Sequence, residues 1–173
     1  MGLFDLFKQK KAPVAVPAEE KKTRGAKAPG TYTRRVKIEN TDLINEDGTS
    51  RQKVLSNIYH KKAPFDKVLD IEMAEYQHNG MVAYSITVNG MCVGDASADM
   101  TEFITASKDR LLGISAFKVD WTSPLDEALE EETENSDLYD NENFDFYKYR
   151  EKKIKEKDRV YSAKMKITVR SKQ

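Results

Sequence analysis

The chain has one cysteine, Cys92, in 173 residues. No intramolecular disulfide framework is open to it, and such scarcity fits a reducing, cytoplasmic setting. It has two histidines, His60 and His78, with neither a Cys-x-x-Cys nor a His-x-x-x-His spacing, which argues against a metal site. No apolar run approaches the roughly 20 residues that cross a bilayer. The opening Met1-Gly2-Leu3-Phe4-Asp5-Leu6-Phe7-Lys8 is too short and too acidic for a signal-peptide core. Leu6 also stands where N-myristoylation wants Ser or Thr. A Gly-x-Ser-x-Gly elbow, a phosphate-cradling Gly-x-x-x-x-Gly-Lys loop and an acid beside a histidine in a catalytic motif are missing too. Cys92 lies inside a strand pattern and reads as buried rather than nucleophilic. The expectation is a non-enzymatic protein with no cofactor and no small-molecule substrate.

What the chain has in abundance is charge, unevenly placed. Lysine plus arginine and aspartate plus glutamate both count 29, and mean hydropathy is −0.71. The first 37 residues hold ten bases against three acids, whereas Pro124 to Tyr147 hold ten acids and no base. A neutral total therefore hides a basic start and an acidic late segment. The polarity also implies that part of the chain does not pack.

Along the chain, Leu3, Phe4, Leu6 and Phe7 recur at helical spacing. They read either as a frayed end or as a short anchor for a protein partner, with Leu3, Phe4 and Phe7 as its contacts. Residues 12–31 are rich in Pro, Ala, Lys and Gly without periodicity, a flexible linker. Arg34 to Glu39 alternates as a strand with one wet face. Asn45-Glu46-Asp47-Gly48 is a turn, after which Thr49 or Ser50 can cap a helix carrying Val54, Leu55, Ile58 and Tyr59. Lys67 to Tyr76, Val82 to Val88 and Met91 to Gly94 form a β-meander through Asn79-Gly80 and Asn89-Gly90. A helix from Ser97 carries Met100, Phe103 and Ile104. Leu111 to Trp121 then reads as a strand through Ile114, Ala116 (or Phe117), Val119 and Trp121. The acidic stretch follows, helical in its Glu-rich beginning and loop-like around Asn135, Asn141 and Asn143. Arg159 to Arg170 is a half-buried strand, with Tyr161, Ala163, Met165, Ile167 and Val169 on one face and Ser162, Lys164, Lys166 and Thr168 on the other.

The expected fold is mostly β with two helices, an α+β chain forming a small six-stranded OB-like barrel or bent sheet. Its divisions are a disordered basic arm (1–31), the β domain (32–122 with 159–170), an acidic insertion loop (123–158) and a tail (171–173).

This order, with Asn45-Glu46-Asp47-Gly48-Thr49-Ser50-Arg51-Gln52, resembles the HIRAN domain, in particular stand-alone bacterial HIRAN-like proteins. Gly90-x-x-Val93-Gly94 matches the family's step before its second helix. Leu112-Gly113-Ile114-Ser115-Ala116-Phe117 and Tyr161-x-Ala163-x-Met165 sit where the family has its last two strands. The resemblance implies a modified OB fold and binding of single-stranded DNA or DNA ends beside repair or replication machinery. Of the Asn-Pro-aromatic-Asp segment that forms the family's 3′-end pocket, Asn79 alone is present; Gly80, Met81 and Val82 occupy the other places, and Asp95 stands where an aromatic or histidine is common.

The candidate nucleic-acid contacts are Arg34, Arg35, Lys37, Arg51, Gln52 and Asn79. Arg51, near a helix N-terminus, offers a fork for phosphate, or else clamps the preceding loop through Asp47 or a backbone carbonyl. Arg34, Arg35 and Lys37 form either a basic face or an ordinary solvated strand face. Tyr32, Tyr76 and Tyr84 are stacking surface or core. The acidic segment lies across the basic face as a nucleic-acid mimic, engages a basic partner, or is a solvated loop. A protein-interaction adaptor built on the Leu/Phe start and the acidic insertion is the alternative to DNA binding.

Overall fold

A computed structural model describes residues 30–171 apart from 137, 139 and 140. The Leu3, Phe4 and Phe7 anchor, most of the linker and the end of the tail lie outside the described residues.

Among the described residues six strands form one antiparallel sheet: β1 (Thr31–Glu39), β2 (Ile71–His78), β3 (Met81–Val88), β4 (Met91–Ala96), β5 (Leu111–Thr122) and β6 (Val160–Arg170), in the order β2-β3-β4-β1-β6-β5. The sheet bends enough for its two edges, β2 and β5, to approach each other. No ladder joins them. The structure is thus an α+β bent sheet, and the closed OB-like barrel is not formed.

The meander forms because Asn79-Gly80 and Asn89-Gly90 all take positive φ, 50° and 76° in the first turn and 50° and 78° in the second. Two successive left-handed residues make the twist that suits a two-residue hairpin. β2 begins later than the apolar run implied, at Ile71, and leaves Val68 61% exposed. Gly94 lies where β4 meets β1, and a Cβ there would run into the Glu39 carbonyl and the Ile38 side chain.

Among the described residues there are four α-helices rather than two: α1 (Arg51–Tyr59), α2 (Ala98–Ala106), α3 (Asp126–Glu134) and α4 (Phe146–Lys153). Ser50 occupies the α1 cap position without a side-chain cap bond; instead Asp47 accepts from the Thr49 amide at 2.8 Å and tightens the entering turn. Val54, Leu55 and Ile58 of α1 join Val36, Ile38, Tyr161, Met165 and Ile167 of β1 and β6 in the core. Apolar burial of this kind contributes about 25 cal/mol per Å².

In the acidic insertion the Glu-rich beginning is helical as expected (α3), and a further helix, α4, stands where a loop was expected. Leu129 and Thr133 of α3 and Ile154 after α4 are buried. Arg150 of α4 grips Asp126 with two bonds of 2.6 and 2.7 Å and donates to the Trp121 carbonyl at 3.2 Å. Its guanidinium also lies 3.5 Å from the centroid of the Trp121 ring, which Arg159 approaches to 4.4 Å. Glu151 of α4 accepts from Tyr59 of α1 at 2.8 Å. No helix among the described residues is long and apolar enough to cross a membrane.

Candidate nucleic-acid interface

Strand alternation decides which bases face outward. On β1, Val36 and Ile38 are buried while Arg35 and Lys37 are exposed. Arg34 shares the parity of Val36 and Ile38, and its guanidinium sits 4.2 Å from the Phe103 centroid. It therefore does not join Arg35 and Lys37, and the expected three-residue basic face is corrected to two residues on β1. The two-residue period already carried that signal.

The register supplies the partners that sequence reading missed. Arg35 pairs with Lys166 and Lys37 with Lys164 across β1 and β6, while Lys118 of β5 pairs with Lys164 from the other side. Five bases from three strands thus share one wet face, in two adjacent rows. Like charges directly opposite each other destabilise a sheet unless something neutralises them. Asp120 does so in part: its Oδ1 lies 2.7 Å from Lys118 Nζ and its Oδ2 2.9 Å from Lys164 Nζ. Burial works to raise the Asp120 carboxyl, but the hydrogen bonds from the two lysines outweigh it and hold the group below the usual range. Arg35, Lys37 and Lys166 make no ion pair among the described residues. Arg35, Ala116, Lys118, Lys164, Met165 and Lys166 line a shallow groove of about 330 Å³. The face's other outward positions on these three strands include Thr31, Thr33, Glu39, Thr122, Val160, Ser162, Thr168 and Arg170, none of them aromatic.

Arg51, Gln52 and Asn79 lie elsewhere and are engaged. Arg51 donates to Asn45 Oδ1 at 2.8 Å, the Asn40 carbonyl at 2.9 Å and Asp95 Oδ2 at 3.1 Å. The clamp role holds through a backbone carbonyl, that of Asn40, as one of the two expected routes, and through Asn45 and Asp95; Asp47 takes no part. Asp95 is 7% exposed and also accepts from Asn40 Nδ2 and Tyr76 Oη, both at 3.0 Å. Gln52 donates to the Thr41 and Tyr161 carbonyls and accepts from the Tyr161 amide, sewing α1 to β6 at 2.7–3.0 Å. Asn79 forms the exposed β2–β3 turn and touches His78.

The three candidate tyrosines are not on the basic face. Tyr84 is buried and donates to Glu75, Tyr32 packs edge-on to Phe103, and Tyr76 is 36% exposed with its hydroxyl on Asp95. Burial raises the Tyr76 and Tyr84 hydroxyls above their ordinary values.

A second polar cluster escaped the sequence because its members are about 100 residues apart. Glu156 accepts from Ser56 Oγ and from Tyr161 Oη at 3.0 Å, and lies 3.0 Å from His60 Nε2. Burial would raise the Glu156 carboxyl, yet these hydrogen bonds lower it to about 2. The cluster ties α1 and its C-terminal end to the start of β6. Cys92 is half-buried in β4. Among the described residues no group of three His, Cys, Asp or Glu side chains gathers that could hold a metal.

No acidic side chain of the described insertion pairs with Arg35, Lys37, Lys118, Lys164 or Lys166. Glu132 pairs with Lys153, Asp126 with Arg150 and Asp145 with Lys148, all within the insertion. Compared with protein-family models, curated proteins and solved structures, the chain matches none.

Proposed function

We propose that the chain is a non-enzymatic, HIRAN-like DNA-binding module, an accessory to repair or replication machinery, that holds single strands and ends by their phosphate backbone. One observation carries the reading: Arg35 faces Lys166 and Lys37 faces Lys164 across β1 and β6, with Lys118 beside them and Asp120 bound only to two of the five. Such an arrangement costs the free protein electrostatic energy and gains it back when a polyanion lies across the rows.

Fluorescence anisotropy with labelled single-stranded DNA over a salt series tests this. Affinity should fall steeply with salt, by about 0.7 in log K per log salt for each phosphate neutralised. Lys166→Gln should flatten that slope by about 1. Blocking the 3′ hydroxyl should change little, because Arg51, Gln52 and Asn79 are engaged within the fold. Loss of binding on blocking would instead favour a surviving end pocket.

The alternative is a protein-interaction adaptor. The helical insertion favours it, since α3 presents acidic side chains and α4 a Tyr147 that is 77% exposed. Absence of DNA binding at low salt would move the assignment there.

A further inference from the structure

The basic face carries two acids, Glu39 and Asp120, and the second is bound to its lysines. Asp120 places its two carboxylate oxygens on two different lysines, Oδ1 on Lys118 and Oδ2 on Lys164, which stand opposite each other across β5 and β6. Two non-bridging oxygens of a phosphodiester present the same two-pronged acceptor to a pair of ammonium groups. One step along the strands, Arg35 and Lys166 face each other with no acid between them, and the groove runs past both pairs. The Lys118 and Lys164 side chains remain 65% and 43% exposed and Asp120 39%, so the internal anion is accessible to exchange.

We infer that Asp120 occupies a backbone-phosphate seat and sets both the strength and the selectivity of the face: DNA binds by seating one phosphate on Arg35 and Lys166 and displacing Asp120 from Lys118 and Lys164 with the next. This rests on the reading that the face binds DNA. Being tethered, the carboxylate competes at a high effective concentration. A free phosphate must overcome that competition unaided. A polymer already held by Arg35, Lys37 and Lys166 meets it with an effective concentration of its own. The face therefore prefers chains of phosphates to single ones, and contact through phosphate alone makes it indifferent to base identity.

The experiment compares the full chain with Asp120→Asn, with Glu127→Gln on α3 as a control that removes the same charge away from the face. A third variant combines Asp120→Asn with Lys164→Gln. Each is titrated against a labelled single-stranded oligonucleotide over a salt series, and inorganic phosphate is added as competitor. Thermal melting confirms that each variant is folded.

Asp120→Asn should bind about three- to tenfold more tightly at low salt, with a salt slope steeper by about 1. Inorganic phosphate should compete more effectively against it than against the parent. Glu127→Gln should match the parent, and the added Lys164→Gln should cancel most of the gain. Parent-like affinity and slope in Asp120→Asn, or an equal gain in Glu127→Gln, would overturn the inference while leaving DNA binding itself in place. If neither the parent nor Asp120→Asn binds at low salt, the DNA reading fails and takes the inference with it.

Discussion

Asp95 and Lys166 are charged side chains on strands of the same sheet, yet their surroundings are opposite. Around Asp95 every charge is answered from within: Arg51, Asn40 and Tyr76 converge on one carboxylate that is 7% exposed. Around Lys166 like charges accumulate, and among the described residues Asp120 alone forms ion pairs with them, reaching Lys118 and Lys164 in the next row. The first arrangement fixes the loop of residues 40–50 and the start of α1. The second has no internal counterpart for Arg35, Lys37 or Lys166 among the described residues, and it is the face proposed to bind DNA. Charge that is matched internally reads as architecture, and charge aligned without a match reads as an interface.

The sharpest way to break that comparison is to remove Asp95. Asp95→Ala leaves Arg51, 13% exposed at its side chain, facing a site that has lost its counter-charge. Removing one partner of a buried pair typically costs about 3–5 kcal/mol, and urea unfolding should show it as a lower midpoint at an unchanged slope. If the variant's stability falls by less than about 1 kcal/mol, the hub is a surface feature and the distinction between the two regions collapses.

The sequence-to-structure comparison has the same shape. The strands were legible because local chemistry decides them: Asn-Gly turns demand two left-handed residues, and two-residue alternation marks β1, β3 and β6. The ambiguity between Ala116 and Phe117 was physical, since the β5 register shifts between Ile114 and Ala116 and brings Phe117 opposite Met165. α4 was invisible because Phe146-Tyr147-Lys148-Tyr149-Arg150-Glu151-Lys152-Lys153 has almost no apolar stripe. Its hold on the fold comes from Arg150 reaching Asp126 and Trp121, which are 24 and 29 residues away. Arg51 stood out in the sequence, although a motif cannot say whether a guanidinium points at a ligand or, as here, at Asp95. The basic face was half visible. Arg35 and Lys37 alternate in plain view, whereas Lys118, Lys164 and Lys166 join them only through the register of three strands.

Glu156 lies between the two extremes, a carboxylate bound by Ser56, Tyr161 and His60 but with 50% of its side chain exposed. Its drop from 4.5 to about 2 would amount to ~3 kcal/mol without screening. Solvent reduces the expected loss in Glu156→Gln to about 1 kcal/mol. The sign follows from the direction of the shift. A carboxylate whose folded value lies below its unfolded one stabilises fully above the unfolded value and loses that advantage as pH falls. The stability gap between parent and variant should therefore be constant near neutrality and close between about pH 4.5 and pH 2. A gap that persists unchanged at pH 2 would show that the side chain contributes packing rather than a charged tether.

The smallest effect is the most telling for the basic face. If Arg35 and Lys166 are aligned for a ligand rather than for the sheet, removing one of them should not weaken the fold. Both are exposed, and neither has an ion-pair partner among the described residues. Surface substitutions of this kind stay within about 0.5 kcal/mol, and relief of the opposed charges pushes the change toward stabilisation. Arg35→Gln should accordingly melt at or slightly above the parent temperature at low salt, with the difference shrinking as salt screens the repulsion over a Debye length of about 10 Å at 0.1 M. The same substitution should weaken DNA binding. A variant that loses stability and keeps its affinity would place Arg35 with Asp95, on the architectural side of the comparison, and would leave the wet face without a ligand.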